Sequence, residues 1–191
     1  MDVSALFRIL YLAWIFSEIA LLLITRTRSG NPSADIQDRG SLRILWIVIV
    51  VATTLGSYYG ETHPHTIDHG APWVRATALT LLLLGLVIRW TAIITLGRSF
   101  SANVAIHATQ TIHKTGLFRL VRHPSYSGLI LIFAAIGLHT RNWLGLAMIF
   151  IPTTAALLYR IHVEESALRR AFGHEYEIYS KSTKRLIPGI Y

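Results

Sequence analysis

The sequence predicts an all-α, polytopic membrane protein with about five transmembrane helices, the last two forming a helical hairpin, and a C-terminal interfacial helix. Hydrophobic residues make up 52% of the 191 residues and charged residues only 15%, a balance too apolar for an ordinary soluble domain. The apolar residues also fall into runs of about the 20 residues that a spanning helix needs. We therefore expect one integral membrane domain over residues 1–191.

The first half of the chain contains three apolar runs, at residues 5–25, 42–59 and 73–96. They predict three N-terminal spans within 1–96. The first run carries Glu18, and a carboxylate inside a span is favoured only where other helices hydrogen-bond it. We interpret Glu18 as such a packed carboxylate, with a functional role as the less favoured alternative.

The second half, residues 97–191, begins with a polar, basic segment and then turns apolar at 125–139 and 142–159. Only a short polar link separates these two runs, which predicts an antiparallel helical hairpin. From Arg160 the pattern becomes charged and amphipathic, typical of a helix that leaves the membrane and lies at its surface. We treat 97–191 as the cofactor-binding half.

The basic residues predict the orientation of the spans. Of the 18 Lys and Arg residues, 14 lie in the connection after the first span, the connection after the third span and the C-terminal region. Five alternating spans place these three regions on one side. Because cytoplasmic loops carry an excess of Lys and Arg, we expect the C-terminus and the active site to be cytoplasmic.

Several function classes are excluded or disfavoured. The chain has no cysteine, so disulfides, thiolate metal ligands and cysteine nucleophiles are impossible. The net charge of +8 is spread over loops that flank apolar runs, which favours contact with membrane lipids over nucleic acid. His63, His65 and His69 have a spacing that could hold a metal, but a solvated loop is the preferred interpretation and no metal site is predicted.

Two polar clusters remain as candidates for chemistry. The first runs from Gln110 to Gly128 and includes Pro124, which can begin a helix whose first turn presents free amides to an anion. The second consists of Arg160, Glu164 and Glu165. The predicted hairpin places Tyr126 and Arg160 at the same membrane depth, so both clusters would border one pocket.

The second half resembles a known family. The resemblance rests on GLFRLVRHPSYSG at 116–128, an Arg-x-x-x-Glu-Glu about 32 residues later, and Leu168, Phe172-Gly173, Tyr176, Tyr179 and Leu186-Ile187-Pro188. This pattern, from about residue 97 onward, resembles the isoprenylcysteine carboxyl methyltransferase family, whose wider relatives are phospholipid methyltransferases. The resemblance implies an integral membrane enzyme that binds S-adenosylmethionine, releases S-adenosylhomocysteine and acts on a lipophilic or lipidated substrate.

The resemblance also implies the site residues. It assigns Arg160 to the substrate carboxylate and, with Glu164, to the catalytic site. The implied cofactor contacts are Gln110, Thr111, Ile112, His113, Phe118, His123, Pro124, Ser125, Tyr126 and Glu164. Since a carboxylate is already a nucleophile at neutral pH, methylation of its oxygen requires alignment and exclusion of water, and no general base.

Other interpretations stay open on the sequence alone. A phospholipid N-methyltransferase would need a route for the amine proton, and an NADPH-dependent, sterol-reductase-like enzyme would bind a different cofactor. A membrane scaffold would bind neither. Phe172, Tyr176 and Tyr179 recur at helical spacing and indicate either a lid over the pocket or simple packing.

Overall fold

The computed structural model describes residues 2–28, 35–36, 40–63, 67, 72–100, 105–106 and 111–191. Five α-helices account for most of them: α1 (Val3–Arg28), α2 (Ser41–Thr62), α3 (Trp73–Leu96), α4 (Pro124–His139) and α5 (Trp143–Ser182). Two 3₁₀ turns lie at Gly97–Ser99 and Gly116–Arg119. A two-residue antiparallel pairing joins β1 (Asp35–Ile36) to β2 (Ala105–Ile106). The all-α class expected from the sequence is confirmed.

Four of the helices, α1, α2, α3 and α5, are long and apolar enough to cross a membrane. The remaining helix, α4, has only 16 residues and would extend about 24 Å at 1.5 Å per residue. That is shorter than a hydrocarbon core of about 30 Å. The chain is therefore a multi-pass integral membrane protein in which α4 is the short arm of the predicted hairpin.

Glycines let the helices approach closely. A Cβ added to Gly85 on α3 would lie 2.7 Å from the carbonyl oxygen of Gly128 on α4, and a Cβ on Gly128 would lie 2.7 Å from that of Gly85. A Cβ on Gly56 of α2 would meet the Ile149 side chain on α5 at 2.4 Å. Backbone-to-backbone packing of this kind is how membrane helices associate when lipid is as apolar as their side chains.

The hairpin link is fixed by an N-cap. The Asn142 side chain accepts hydrogen bonds from the backbone N–H groups of Leu144 (2.9 Å) and Gly145 (3.0 Å), satisfying two of the free donors at the start of α5. At the other end of the hairpin, Pro124 begins α4, where its missing N–H costs nothing.

The predicted boundary between the last span and a separate surface helix is not seen. The α5 helix continues through Arg160 to Ser182, and its backbone leaves helical geometry only at Gly173 (φ 49°, ψ −123°). A change from apolar to charged side chains does not end a helix, because backbone hydrogen bonds continue in either solvent. Glycine ends the regular path because it alone adopts this conformation at little cost.

The C-terminal tail returns to the segment before α4. The N–H of Arg122 donates to Lys184 O (2.7 Å) and that of His123 to Arg185 O (3.0 Å), so the two segments run in parallel. Ser127 Oγ donates to Leu186 O (2.7 Å). These contacts hold the start of α4 against the end of the chain and thereby position one wall of the site.

Candidate active site

A cavity lies where the first turn of α4 meets the middle of α5. Segment 111–118 and the C-terminal turns of α5 close it on one side, and α1, α2 and α3 close it on the other. Polar side chains border it beside an apolar surface that reaches into the spans. The residues that line it include Thr111, Ile112, His113, Phe118, His123, Pro124, Ser125, Tyr126, Arg160, Glu164, Leu168, Phe172 and Tyr176.

Tyr126 joins the two candidate catalytic residues. Its hydroxyl accepts a hydrogen bond from Arg160 Nε (3.1 Å) and donates one to Glu164 Oε2 (2.8 Å). Arg160 is 3% exposed, and its Nη1 also donates to Ser41 Oγ on α2 (2.8 Å). Arg160 and Glu164 share a helical face because they are four residues apart. The expectation that the hairpin brings Tyr126 level with Arg160 is confirmed.

Glu165, one residue further along α5, is held by several cations. Its carboxylate accepts from Arg122 Nε (3.0 Å) and Arg185 Nη2 (3.0 Å), and His123 Nε2 lies 3.4 Å away. Burial acts to raise the pKa of this carboxyl, but the interactions with His123, Arg185 and Arg122 outweigh it and hold the pKa well below its usual range. Glu165 thus fastens α5 to the segment before α4 and to the C-terminal tail.

A second buried network crosses the spans. Arg89 on α3 forms an ion pair with Glu18 on α1, with Nη2 2.5 Å from Oε2, and its Nη1 donates to Ser125 Oγ (2.7 Å). Trp14 Nε1 also donates to Glu18 (3.0 Å). The interpretation of Glu18 as a carboxylate hydrogen-bonded by neighbouring helices is confirmed. Paired charges of this kind are the form in which ionised groups persist inside a membrane protein.

Segment 111–115 leads into the buried Phe118. Its peptide N–H groups from Thr111 to Thr115 make no backbone hydrogen bond with any residue that the structure describes. Tyr179 OH donates to Phe118 O (2.6 Å), and Lys114 Nζ contacts Glu175 Oε1 (2.7 Å), so α5 holds this segment at two points. The position of this segment is thus fixed by α5.

The C-terminal turns of α5 add an aromatic wall. Tyr176 is 1% exposed and packs edge-on against Tyr179, with ring centroids 6.2 Å apart. Its hydroxyl is buried and has no hydrogen-bond partner among the residues described, and burial raises its pKa. A buried hydroxyl without a partner is costly, so this group is a candidate for ligand contact.

The structure brings the described candidate residues together. All nine proposed cofactor residues from Thr111 to Tyr126 and Glu164 border the same cavity as Arg160. Gln110 lies outside the described residues, as do His65 and His69. Two side chains are already engaged: Ser125 with Arg89, and His123 near Glu165. The ligand roles of the set stay predictions.

Sequence reasoning missed part of the lining. Arg89 on α3 lines the cavity and lies 36 residues from its partner Ser125. Ser41 on α2, 119 residues from Arg160, contacts Arg160 from outside the lining. No local sequence pattern predicts a contact between residues so far apart in the chain. One available signal was that Glu18 and Arg89 are opposite charges in two apolar spans, where each needs a partner.

The chain is similar in sequence to known proteins. The profile of the Isoprenylcysteine carboxyl methyltransferase (ICMT) family matches residues 78–170. A probable protein-S-isoprenylcysteine O-methyltransferase of Oryza sativa subsp. indica is 34% identical over 121 residues, covering 62% of this chain and 63% of that protein. Protein-S-isoprenylcysteine O-methyltransferase B of Arabidopsis thaliana is 31% identical over 119 residues, covering 61% and 60%.

The fold is similar to a solved structure, that of the eukaryotic intramembrane Ras methyltransferase ICMT. The TM-score is 0.60 at 24% identity, covering 76% of this chain and 52% of that one. The chain thus spans about three fifths of the plant relatives and about half of the solved protein. The matched segment contains α4, Arg160 and Glu164. Over residues 78–170, the chain is similar to the isoprenylcysteine carboxyl methyltransferase family.

Proposed function

We propose that this protein is an S-adenosylmethionine-dependent carboxyl O-methyltransferase that acts on the carboxylate of a lipid-linked, isoprenylcysteine-like substrate. One observation carries the proposal: Arg160 and Glu164 border one cavity and are joined through the Tyr126 hydroxyl. A guanidinium suits a carboxylate, and a carboxylate suits a cationic amino group. The cavity therefore offers complementary charges to an acceptor and to a donor side by side.

The polar groups around the cavity fit S-adenosylmethionine. Glu164 Oε1 accepts no hydrogen bond from the described residues, and the Tyr176 hydroxyl is buried without a partner among them. The peptide N–H groups of 111–115 are likewise uncommitted. Phe118 and Phe172 supply apolar surface beside them. Free acceptors and donors next to aromatic rings suit a nucleoside that carries an amino acid.

The residues around the cavity would each hold a different part of the cofactor. Glu164 holds its ammonium group through Oε1. The first turn of α4, from His123 to Tyr126, faces its carboxylate or ribose. His123 N–H donates to Arg185 O and Tyr126 N–H to His123 O, so Ser125 N–H is the amide of this turn that donates to no backbone oxygen among the described residues. Segment 111–118 borders the adenine. Since Ser125 Oγ is held by Arg89, Ser125 contributes mainly through its backbone.

The bound cofactor supplies an electrophilic methyl group on a sulfonium. An ionised acceptor carboxylate would need no general base, so no residue of the site would have to move a proton. Arg160 would hold this carboxylate beside the cofactor. Tyr126 fixes the Nε edge of Arg160 and so its orientation. The protein's contribution is alignment and the exclusion of water.

The substrate's lipid tail would lie among the spans. Leu21, Leu42 and Ile49 line the apolar part of the cavity, which continues from the Arg160 end toward the membrane interior. A prenyl-like chain in this apolar part would leave its polar head beside Arg160. The distribution of Lys and Arg supports a cytoplasmic location for this end of the bundle.

Two substitutions test the assignment. Arg160→Ala should abolish methyl transfer to a prenylcysteine analogue while keeping most of the affinity for S-adenosylhomocysteine. Glu164→Ala should weaken that affinity in calorimetry. Unchanged binding and turnover in both variants would overturn the proposal. Stabilisation against heat by NADPH, with no response to S-adenosylmethionine, would instead indicate a reductase.

A further inference from the structure

A second cavity lies at the opposite end of the helix bundle. It has a volume of about 690 Å³ and sits between the first turns of α1 and α3, the last turns of α2 and α4, and the hairpin link. Its size is in the range of small-molecule sites, about 300–1,000 Å³. The link precedes Arg160 by about 17 residues of α5, or about 26 Å of helix, so this cavity is separate from the methyltransferase cavity.

Three guanidinium groups converge on this cavity from three parts of the chain. Arg8 comes from α1, Arg75 from α3 and Arg141 from the link, whereas Glu61 is the one carboxylate among the described residues that line it. Arg75 makes no hydrogen bond or ion pair with any residue that the structure describes, and Arg8 Nε donates to the Ser4 carbonyl of its own helix (3.3 Å). The formal excess of positive charge indicates an anionic ligand.

The backbone at Arg141 supports the same conclusion. Its φ of 56° is the only positive value at a non-glycine residue in the described part of the chain. The surroundings hold this conformation: Ile67 N donates to Arg141 O (3.1 Å), and the neighbouring Asn142 side chain donates to His63 O. Left-handed geometry at such a residue is unfavourable and persists mainly where structure over-determines it, often at ligand sites.

One part of the cavity lining is apolar. The His139 ring stacks on Phe7 with centroids 3.9 Å apart and an interplanar angle of 3°, and Tyr11 and Ile136 also line the cavity. The α2 side contributes the hydroxyl side chains Thr53, Thr54 and Ser57. His139 Nδ1 is buried and has no hydrogen-bond partner among the described residues. Basic side chains together with apolar ones, at the end of the spans, match an amphiphile with an anionic head.

We propose that this cavity is a phosphate site that binds an anionic phospholipid in the leaflet opposite the methyltransferase cavity. The phosphate lies among Arg8, Arg75 and Arg141, and the start of the acyl region lies against Phe7 and Tyr11. The same chemistry would accept a soluble phosphate, so the experiment separates the two sources.

Binding is measured on the purified full-length protein in a neutral detergent, with short-chain phosphatidylglycerol, short-chain phosphatidylcholine and inorganic phosphate as separate probes. The variants are Arg75→Gln, the double variant Arg8→Gln/Arg75→Gln, the conservative Arg75→Lys, and Arg119→Gln as a control. Arg119 is an exposed arginine outside both cavities, so its substitution removes the same charge elsewhere.

We expect phosphatidylglycerol to bind more tightly than phosphatidylcholine. Arg75→Gln should weaken its binding about fivefold and Arg8→Gln/Arg75→Gln about 25-fold, because each arginine near anionic lipid contributes about 1 kcal/mol. Arg75→Lys should keep most of the affinity, and Arg119→Gln should keep all of it. The melting temperature of Arg75→Gln should match the wild type, since Arg75 makes no described polar contact.

Equal loss in Arg75→Gln and Arg119→Gln, or no preference for phosphatidylglycerol, would overturn the lipid site. Binding of inorganic phosphate that Arg75→Gln weakens, without any binding of phosphatidylglycerol, would also overturn it and would assign the cavity to a soluble phosphate.

Discussion

Two neighbouring glutamates on α5 have opposite environments. Glu165 is 2% exposed and contacts Arg122, His123 and Arg185, whereas Glu164 accepts a single hydrogen bond from the described residues, that of the Tyr126 hydroxyl. Adjacent residues on a helix point about 100° apart, so one side chain faces the packed interior and the other faces the cavity. The residue type alone therefore does not identify a candidate binding residue. A side chain that can still accept hydrogen bonds is the better indicator.

Structural contacts and candidate site contacts are likewise made by different residues of one short motif. Residues 122 and 123 of the Arg-His-Pro sequence serve Glu165 and the C-terminal tail, while Tyr126, two residues beyond the proline, serves Arg160 and Glu164. The first residues of the motif thus make structural contacts, and Tyr126 contributes to the candidate active site.

The largest effect is expected on removing the Glu165 charge. Glu165→Gln leaves the buried ends of Arg122 and Arg185 without their carboxylate, which typically costs roughly 3 to 5 kcal/mol for a buried pair. The melting temperature in detergent should fall markedly, measured by intrinsic fluorescence. Glu164→Gln is the matched control and should melt close to the wild type. Equal melting of both variants would contradict the structural role of Glu165.

The next effect concerns the cofactor. Glu164→Gln keeps the shape and the Tyr126 contact but removes the charge proposed to meet an ammonium group. A charge-assisted hydrogen bond is worth about 1.5–3 kcal/mol, so the affinity for S-adenosylhomocysteine should fall by about tenfold or more. Calorimetry measures it. An affinity like that of the wild type would place the ammonium elsewhere.

Acid should destabilise the fold through Glu165. Because the folded-state pKa of Glu165 lies below its ordinary value of 4.5, its stabilisation is fully present above that value and is lost as pH falls toward the folded pKa. The wild type should therefore lose melting temperature between about pH 5 and about pH 3. Glu165→Gln should show a shallower slope over the same range; parallel slopes would exclude Glu165 as the titrating group.

Removing the bridge should have a smaller effect. Tyr126→Phe deletes the hydroxyl that orients Arg160 and Glu164 but keeps the ring against His123. We expect about 1–2 kcal/mol of lost transition-state stabilisation, seen as a turnover reduced by roughly tenfold. Since the bridge orients groups on both sides, KM for the acceptor and affinity for S-adenosylhomocysteine should change together. A change in neither would remove Tyr126 from the site.

The smallest effect is expected at the exposed edge of the cavity. Lys114 and Glu175 form a pair whose side chains are 47% and 55% exposed. Exposed pairs contribute about 0–1 kcal/mol, so Lys114→Gln should leave both melting temperature and cofactor affinity nearly unchanged. A large loss of affinity would show that the position of segment 111–115 depends on this contact.

Much of the architecture was readable from local patterns. Apolar runs predicted the spans, and the short link at His139–Asn142 predicted the hairpin, which in turn placed Tyr126 beside Arg160. What could not be predicted depends on contacts between distant residues. The Glu18–Arg89–Ser125 network joins three helices, and nothing near Glu165 in sequence indicates that residues 122 and 185 will reach it.

Because α5 is helical from Trp143 to Arg160, its length fixes how far Arg160 lies from the start of the helix. At 1.5 Å per residue the seventeen steps set Arg160 about 26 Å from the exposed Trp143, close to the thickness of a hydrocarbon core. One extra residue in this stretch would turn Arg160 by about 100° away from Tyr126, whereas seven would nearly restore its phase but shift it by about 10 Å. Under the proposed function, the length of this helical stretch sets the depth in the membrane at which Arg160 would hold the acceptor carboxylate.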